Sequence, residues 1–238
     1  MNSIDAGQRC RASAVITAAG KGTRMKSDIN KQYIVLCGIP VLARTIAVFE
    51  ACEQIDEIIV VINEEDIKYC KQEIIDKYNF IKVKALVSGG AERQNSVYKG
   101  LCAVDKGCDI VLIHDGARPF VSSDNITDGI RGAISYGACG VGVRLKDTVK
   151  ISSQQGFVES TPDRSTLWSI QTPQCFKYDI IIKAHEEAIQ NNYIGTDDMV
   201  LVEKLGLPVK IIEGEYKNIK ITTPEDLIIG ESILMNNK

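Results

Sequence analysis

Short apolar runs and longer stretches with apolar positions three or four apart take turns along this chain. "SAVIT" at 13–17, "EIIVVI" at 57–62, "KVKALV" at 82–87 and "DIVLI" at 109–113 have the length and β-branched content of strands. Between them, 41–52, 64–77, 92–104 and 123–135 carry apolar residues at helical spacing, with Pro40 and the Ser122, Ser123, Asp124 cluster as helix starts. Strands alternating with helices predict βαβ units, an α/β fold with a mostly parallel sheet and helices on both faces. The rhythm breaks at 144–172, where two weak alternating runs flank a polar "SSQQG" turn, the pattern of a protruding β-arm. Helical patterns return at 178–191 and 197–205. A strand is expected at 208–212, then "NIKITTPED" with Lys220 near the end of a late strand, then a final helix opened by Thr223 and Pro224.

The chain has 238 residues, 45% hydrophobic and 25% charged, which suits a single domain over 12–238 behind a loose tail at 1–11. A formal charge of -3 leaves no basic footprint for nonspecific nucleic-acid binding. Local positive charge must therefore meet any anionic ligand. The eight cysteines, at 10, 37, 52, 70, 102, 108, 139 and 175, form no C-x-x-C pair. They are scattered through apolar runs, which argues against zinc or a disulfide framework and for a reducing, cytoplasmic setting. The apolar run at 12–20 is short and flows into "GKGTRMK", so it reads as a strand and not a signal peptide. No run is long enough to span a bilayer.

In sheets of this Rossmann-like type, ligands bind at the carboxyl ends of the strands. The first strand ends in Ala18-Ala19-Gly20-Lys21-Gly22-Thr23-Arg24-Met25, with Lys31 and Gln32 beyond. Small residues there let backbone amides approach a phosphate, and the cations offset its charge. Met25 stands where the dinucleotide pattern G-x-G-x-x-G needs glycine, and the P-loop spacing is absent. A phosphate site and a plain strand-to-helix turn are both open on this loop alone.

Four further strings narrow the choice: "HDGARPF" at 114–120, "TPDRSTLWSIQTPQCF" at 161–176, "GTDDMVLVE" at 195–203 and "NIKITTPEDL" at 218–227. Together with A-G-x-G-T-R-M they resemble, in order from Ser13 to the C-terminus, the 2-C-methyl-D-erythritol 4-phosphate cytidylyltransferase family. Two positions depart from its pattern: Asn30 precedes Lys31 where proline is frequent, and Asn95 stands where an acidic residue is common. The resemblance implies transfer of CMP from CTP to a polyol phosphate with release of pyrophosphate, in the non-mevalonate isoprenoid route, aided by Mg²⁺.

Such a reaction brings mutually repelling phosphates together, so it needs positioning and charge more than a protein nucleophile. The resemblance assigns Arg24, Lys31, Arg164 and Lys220 to catalysis. It assigns CTP binding to Ala18, Ala19, Gly20, Lys21, Gly22, Thr23, Gly89, Gly90, Ser96, Asp115 and Gly116. The base would meet backbone groups of Ala18, Ala19, Gly89 and Gly90 and the Ser96 hydroxyl. Asp115, Arg118, Thr148, Arg164, Thr172, Thr196 and Lys220 fall to the polyol phosphate, and Asp115 also to the metal. In the family the arm crosses to a second subunit, which implies a homodimer in which Arg164, Thr148 and Thr172 serve the neighbour. Asp115 as a turn cap, Lys220 as an edge-strand lysine and "TDD" as a helix cap remain open from the residues themselves. His114 reads as a structural neighbour and not a base. A ribitol 5-phosphate cytidylyltransferase shares the glycine loop and the "QTPQ-F" string. A non-catalytic nucleotide-binding or assembly protein is the alternative of another class.

Overall fold

The computed structural model describes residues 9–20 and 31–236, with Lys31 described by its backbone alone. Lys21, Gly22, Thr23 and Arg24 lie outside the described residues, as does the side chain of Lys31.

The four leading strands form where the apolar runs stand: β1 (Ala12–Thr17), β4 (Ile55–Ile62), β5 (Val83–Ser88) and β6 (Ile110–Asp115), all mutually parallel. A short hairpin, β2 (Val35–Leu36) and β3 (Ile39–Pro40), leads into helix α1 (Val41–Ala51). A 3-10 turn at Glu64–Asp66 continues as α2 (Ile67–Tyr69) and a π-helical stretch at Cys70–Asp76. Helices α3 (Arg93–Cys102) and α4 (Ser123–Tyr136) follow β5 and β6. Ser122 caps α4 as expected, accepting a hydrogen bond from the Asn125 amide.

The central sheet has seven strands in the order β11-β7-β10-β6-β1-β4-β5. Only β10 (Trp168–Lys177) runs against the rest, pairing antiparallel with both β6 and β7 (Ala138–Arg144), whereas β11 (Lys210–Glu213) is parallel to β7. Alternation along β1 sorts the core into two layers. Ala14 and Ile16 face α1 and α4 through Leu42, Ile46 and Ile126, and Val15 faces α3 and α5 (Tyr178–Gln190) through Val97, Leu101 and Ile181. Helices thus cover both faces. A third, smaller cluster at Leu36, Val41, Phe120 and Ile221 seats the last helix, α7 (Pro224–Asn236).

Two local expectations need correction, and one strand, β7, had no counterpart in the sequence reading. The segment 144–172 is not one hairpin: β7 runs to Arg144 and β10 begins at Trp168, both in the central sheet. Between them stands only the small hairpin β8 (Ile151–Ser152) and β9 (Val158–Ser160), closed by a turn with Gly156 at φ +85°. β7 hides from a period-2 reading because "ACGVGV" is buried on both faces and part glycine. At Gly140 a Cβ would clash with the Met199 sulfur, so the small residue lets α6 (Met199–Lys204) lie close. Lys220 is on no late strand. Residues 214–222 form an irregular strap, with Gly214 N–H donating to Gly142 O and Ile221 N–H to Ala117 O.

Candidate active site

The chain passes from β1 outward to β4 and β5, then returns to the other side of β1 for β6. The strand order therefore reverses beside β1, where an open α/β sheet leaves its crevice. In-register pairing sets Thr17 beside Asp115 at the carboxyl edge. A cleft of about 450 Å³ opens there, walled by Thr17–Gly20, Gln32, Asn63, Gly90–Arg93, Ser96, Asp115, Ala117 and Lys220.

Asp115 is the charge centre of this cleft. Its side chain is only 9% exposed, and three cations surround it: Lys220 Nζ 2.9 Å and Arg118 Nε 3.4 Å from Oδ2, and Arg93 Nε 3.5 Å from Oδ1. Burial alone pushes the carboxyl pKa up, but the charges of Lys220, Arg93 and Arg118 outweigh it and hold the group far below the usual carboxylate range. An ionised oxygen is thus assured at neutral pH. Three positive charges against two carboxylates, Asp115 and the Asp198 that shares Arg93, leave the site with one positive charge in surplus, suited to phosphate.

Beneath the carboxylate, polar groups fix its backbone. The Asp115 N–H donates to Thr172 Oγ1 at 3.0 Å, Thr172 Oγ1 lies 3.0 Å from His114 Nδ1, and His114 Nε2 is 3.1 Å from the Arg118 carbonyl. That carbonyl can only accept, so Nε2 carries the proton and Nδ1 accepts from the threonine hydroxyl. His114 is fully buried, and burial pushes its pKa down to about 4. It is a neutral strut and not a base. Thr172, expected at the polyol phosphate, is 4% exposed and spent on this chain.

Arg93 was missed by sequence reasoning, which took Gly89, Gly90 and Ser96 of "GGAERQNS" for the base pocket and 92–104 for a helix, and gave the arginine no role. Its Nη1 donates to Asp198 Oδ2 at 2.8 Å, and His185 Nε2 lies 3.2 Å from Asp198 Oδ1, so an alternating row of charged and polar groups runs inward from the cleft. Burial lowers the Arg93 pKa, but Asp198 and Asp115 raise it further, and the guanidinium stays charged. Asn95, the residue that departs from the family pattern, completes a capping box with Glu92 at the start of α3, accepting from the Glu92 amide. The departure therefore keeps the local helix start.

The other expected residues divide sharply. Ala18, Ala19, Gly20, Gly90, Ser96, Asp115 and Lys220 wall the cleft together. Gly89 lies beside them: a Cβ there would stand 2.5 Å from the Ala19 Cβ, so glycine lets the two loops touch. Ser96 Oγ accepts from Gly90 N–H and donates to Glu92 O, so it shapes the loop. Gly116 spends its N–H on Thr17 O and accepts from Thr45 Oγ1, leaving it no free donor. Arg118 reaches Asp115 from below and donates from Nη1 to the Asn218 carbonyl. Thr148, Arg164 and Thr196 are exposed and do not wall the cleft. Arg164 Nη1 donates to the Lys146 carbonyl at the root of the arm. In "TDD" Asp198 is the N-cap position of α6 without a side-chain bond there, and Asp197 Oδ1, one residue earlier, accepts from the Val200 amide in the first turn.

Comparison with known proteins agrees with this geometry. The profile of the family described as 2-C-methyl-D-erythritol 4-phosphate cytidylyltransferase matches residues 12–236. Enzymes of that name from Caldanaerobacter subterraneus subsp. tengcongensis and Clostridium botulinum (strain Okra) are 50% and 53% identical over 222 residues. Each alignment covers 93% of this chain, and 98% and 96% of the respective relative. The crystal structure of 4-diphosphocytidyl-2C-methyl-D-erythritol synthase from Anaerococcus prevotii superposes with a TM-score of 0.85 at 37% identity, covering 95% of this chain and 96% of that one. The chain belongs to the 2-C-methyl-D-erythritol 4-phosphate cytidylyltransferase family, transferases that take CTP as co-substrate on the isoprenoid route.

Proposed function

We propose that this chain carries out its family's reaction in the cleft beside Asp115. A phosphate oxygen of 2-C-methyl-D-erythritol 4-phosphate attacks the α-phosphorus of CTP. The new P–O bond forms as the bond to the β-phosphate oxygen breaks, and pyrophosphate leaves with that electron pair. The products are 4-diphosphocytidyl-2-C-methyl-D-erythritol and pyrophosphate. The observation that carries this reading is the ring of Lys220, Arg118 and Arg93 about one ionised, buried carboxylate at the sheet's carboxyl edge. Arg24 and Lys31 would add charge along the triphosphate, and the cytosine would rest against Ala18, Ala19, Gly89 and Gly90.

Among the described residues no three His, Cys, Asp or Glu side chains gather into a protein-only metal cage. One ionised carboxylate facing a phosphate site fits Mg²⁺, which takes its remaining ligands from phosphates and water. Asp115 would hold the ion, which when bound neutralises charge on the nucleotide. The chain's own cations do the rest: Lys220 and Arg118 hold the attacking phosphate near Oδ2.

The arm completes the proposal as the contact of a homodimer. Its hairpin exposes Ile151, Phe157 and Val158, with Phe157 76% exposed, an apolar tip that water disfavours and a second subunit would cover. Arg164, at its root, would then serve the neighbouring cleft with Thr148. All eight cysteines are free and five are buried, in keeping with a cytoplasmic enzyme. Among the described residues no helix is long and apolar enough to cross a membrane. Pyrophosphate release with CTP and Mg²⁺, run in parallel on 2-C-methyl-D-erythritol 4-phosphate and ribitol 5-phosphate, tests the reading. Turnover on the first is expected, and turnover on ribitol 5-phosphate alone, or CTP binding with no turnover, overturns it.

A further inference from the structure

We infer that Asn218 is a positioning residue for the two cations on Asp115 Oδ2: it fixes the strap that delivers Lys220 and presents the carbonyl that orients Arg118. The inference rests on the roles proposed above for those cations. Asn218 is fully buried, two residues before Lys220. Its Nδ2 donates to the Thr172 carbonyl at 2.9 Å and to Gln171 Oε1 at 3.1 Å. A backbone carbonyl can only accept, which fixes the side-chain nitrogen on this side. Both acceptors lie between Ile170 and Gln174, where the register of β10 against β7 shifts. The amide thus ties the strap to β10 at an irregular point of the ladder. Its own backbone carbonyl accepts from Arg118 Nη1 at 2.9 Å.

The strap has no ladder of its own and is pinned at a few points. Gln171 Nε2 donates to Glu215 O on one side, and Ile221 N–H donates to Ala117 O on the other. Between them the Tyr216 hydroxyl donates to Arg144 O at the surface, and Asn218 is the buried pin. Among the described residues its Oδ1 accepts nothing, so the two N–H groups are what tie this side chain to β10. Lys220 and Arg118 both face Oδ2, so a slack strap displaces both at once. Arg93 faces Oδ1 and is held separately by Asp198.

A double-mutant cycle on pyrophosphate release tests this, with Asn218→Ala, Lys220→Gln and the double variant each melted to show that they are folded at the assay temperature. Asn218→Ala is expected to lower kcat by about 30-fold, as a misplacement of under an ångström does, with the KM for CTP within about threefold of wild type. The double variant is expected within about fivefold of Lys220→Gln alone, the remaining loss acting through Arg118, because the share of the positioning that acts through Lys220 is already removed. A loss of active fraction would instead multiply through the cycle, and that result overturns the inference, as does wild-type kcat in Asn218→Ala. If Asn218→Ala does not fold, Gln171→Leu, which removes one acceptor of the Asn218 amide, enters the same cycle and decides by the same criterion. Full activity in Lys220→Gln overturns the phosphate-binding role itself. An inactive Lys220→Gln beside a fully active Asn218→Ala overturns the role of Asn218 alone.

Discussion

The rim around Asp115 and the arm that leaves the sheet after Arg144 both carry residues of the family motifs, yet they are built in opposite ways. At the rim the charged groups among the described residues are braced. Asp115 is held by its amide through Thr172 and His114, Lys220 by the strap, and Arg93 by Asp198. On the arm, Thr148 and Arg164 stand in solvent beside an apolar tip, and the guanidinium meets only a carbonyl of its own root. A rigid constellation can pre-organise charge for a reaction at no cost when substrate arrives. An exposed arm cannot do so by itself. The proposed homodimer gives the arm the support it lacks within one chain.

The sharpest blow to this contrast is at its centre. Asp115→Asn keeps the size of the side chain and removes the charge, and kcat for pyrophosphate release is expected to fall on the order of 10³-fold while thermal melting still shows a folded protein. The arm is expected to matter less but in a distinctive way. Arg164→Ala lowers kcat about 100-fold, and mixing it with Lys220→Gln under subunit exchange restores roughly a quarter of wild-type activity, the share of sites that regain both groups. No recovery on mixing means that the arm does not serve a neighbour. A smaller effect belongs to the base side of the cleft: Gly89→Ala pushes a methyl into Ala19 and is expected to raise the KM for CTP about tenfold, read from initial rates.

The smallest expected effect is on stability and separates strut from catalyst. His114 is held near pKa 4 in the fold against an ordinary value near 6.5, so its neutral form stabilises the fold fully above pH 6.5 and that gain is lost as pH falls toward 4. Denaturant unfolding at pH 5 is expected to give about 2 kcal/mol less stability than at pH 7 from this group, and His114→Gln removes that difference. An unchanged pH dependence in the variant would assign the loss to other residues.

Much of the rim was legible in the sequence because its residues sit where strand runs end, and a parallel sheet brings those ends together. Asp115 follows "DIVLI" directly, and "SAVIT" delivers Ala18 and Ala19. The bracing was not legible. Arg93 looked like the first turn of a helix, and Thr172 and Asn218 looked like motif letters near a substrate. Their roles depend on β10 running backwards through the sheet and on a strap without periodicity, and neither leaves a hydrophobic pattern to read. "ACGVGV" hid a strand for a related reason: a buried strand shaped by close helix packing carries glycine where a signal residue would stand. On the arm the motif at 161–176 named Arg164, the family resemblance added Thr148, and local pattern gave the "SSQQG" turn, but none of these shows which cleft the arm meets.

The most direct test is a crystal structure of the protein soaked with CTP and Mg²⁺. Cytosine is expected against Gly89 and Gly90, with the α-phosphate beside Asp115 and within reach of Lys220. A nucleotide bound elsewhere on the chain, with Asp115 still closed by its three cations, would contradict the placement of the reaction at this rim.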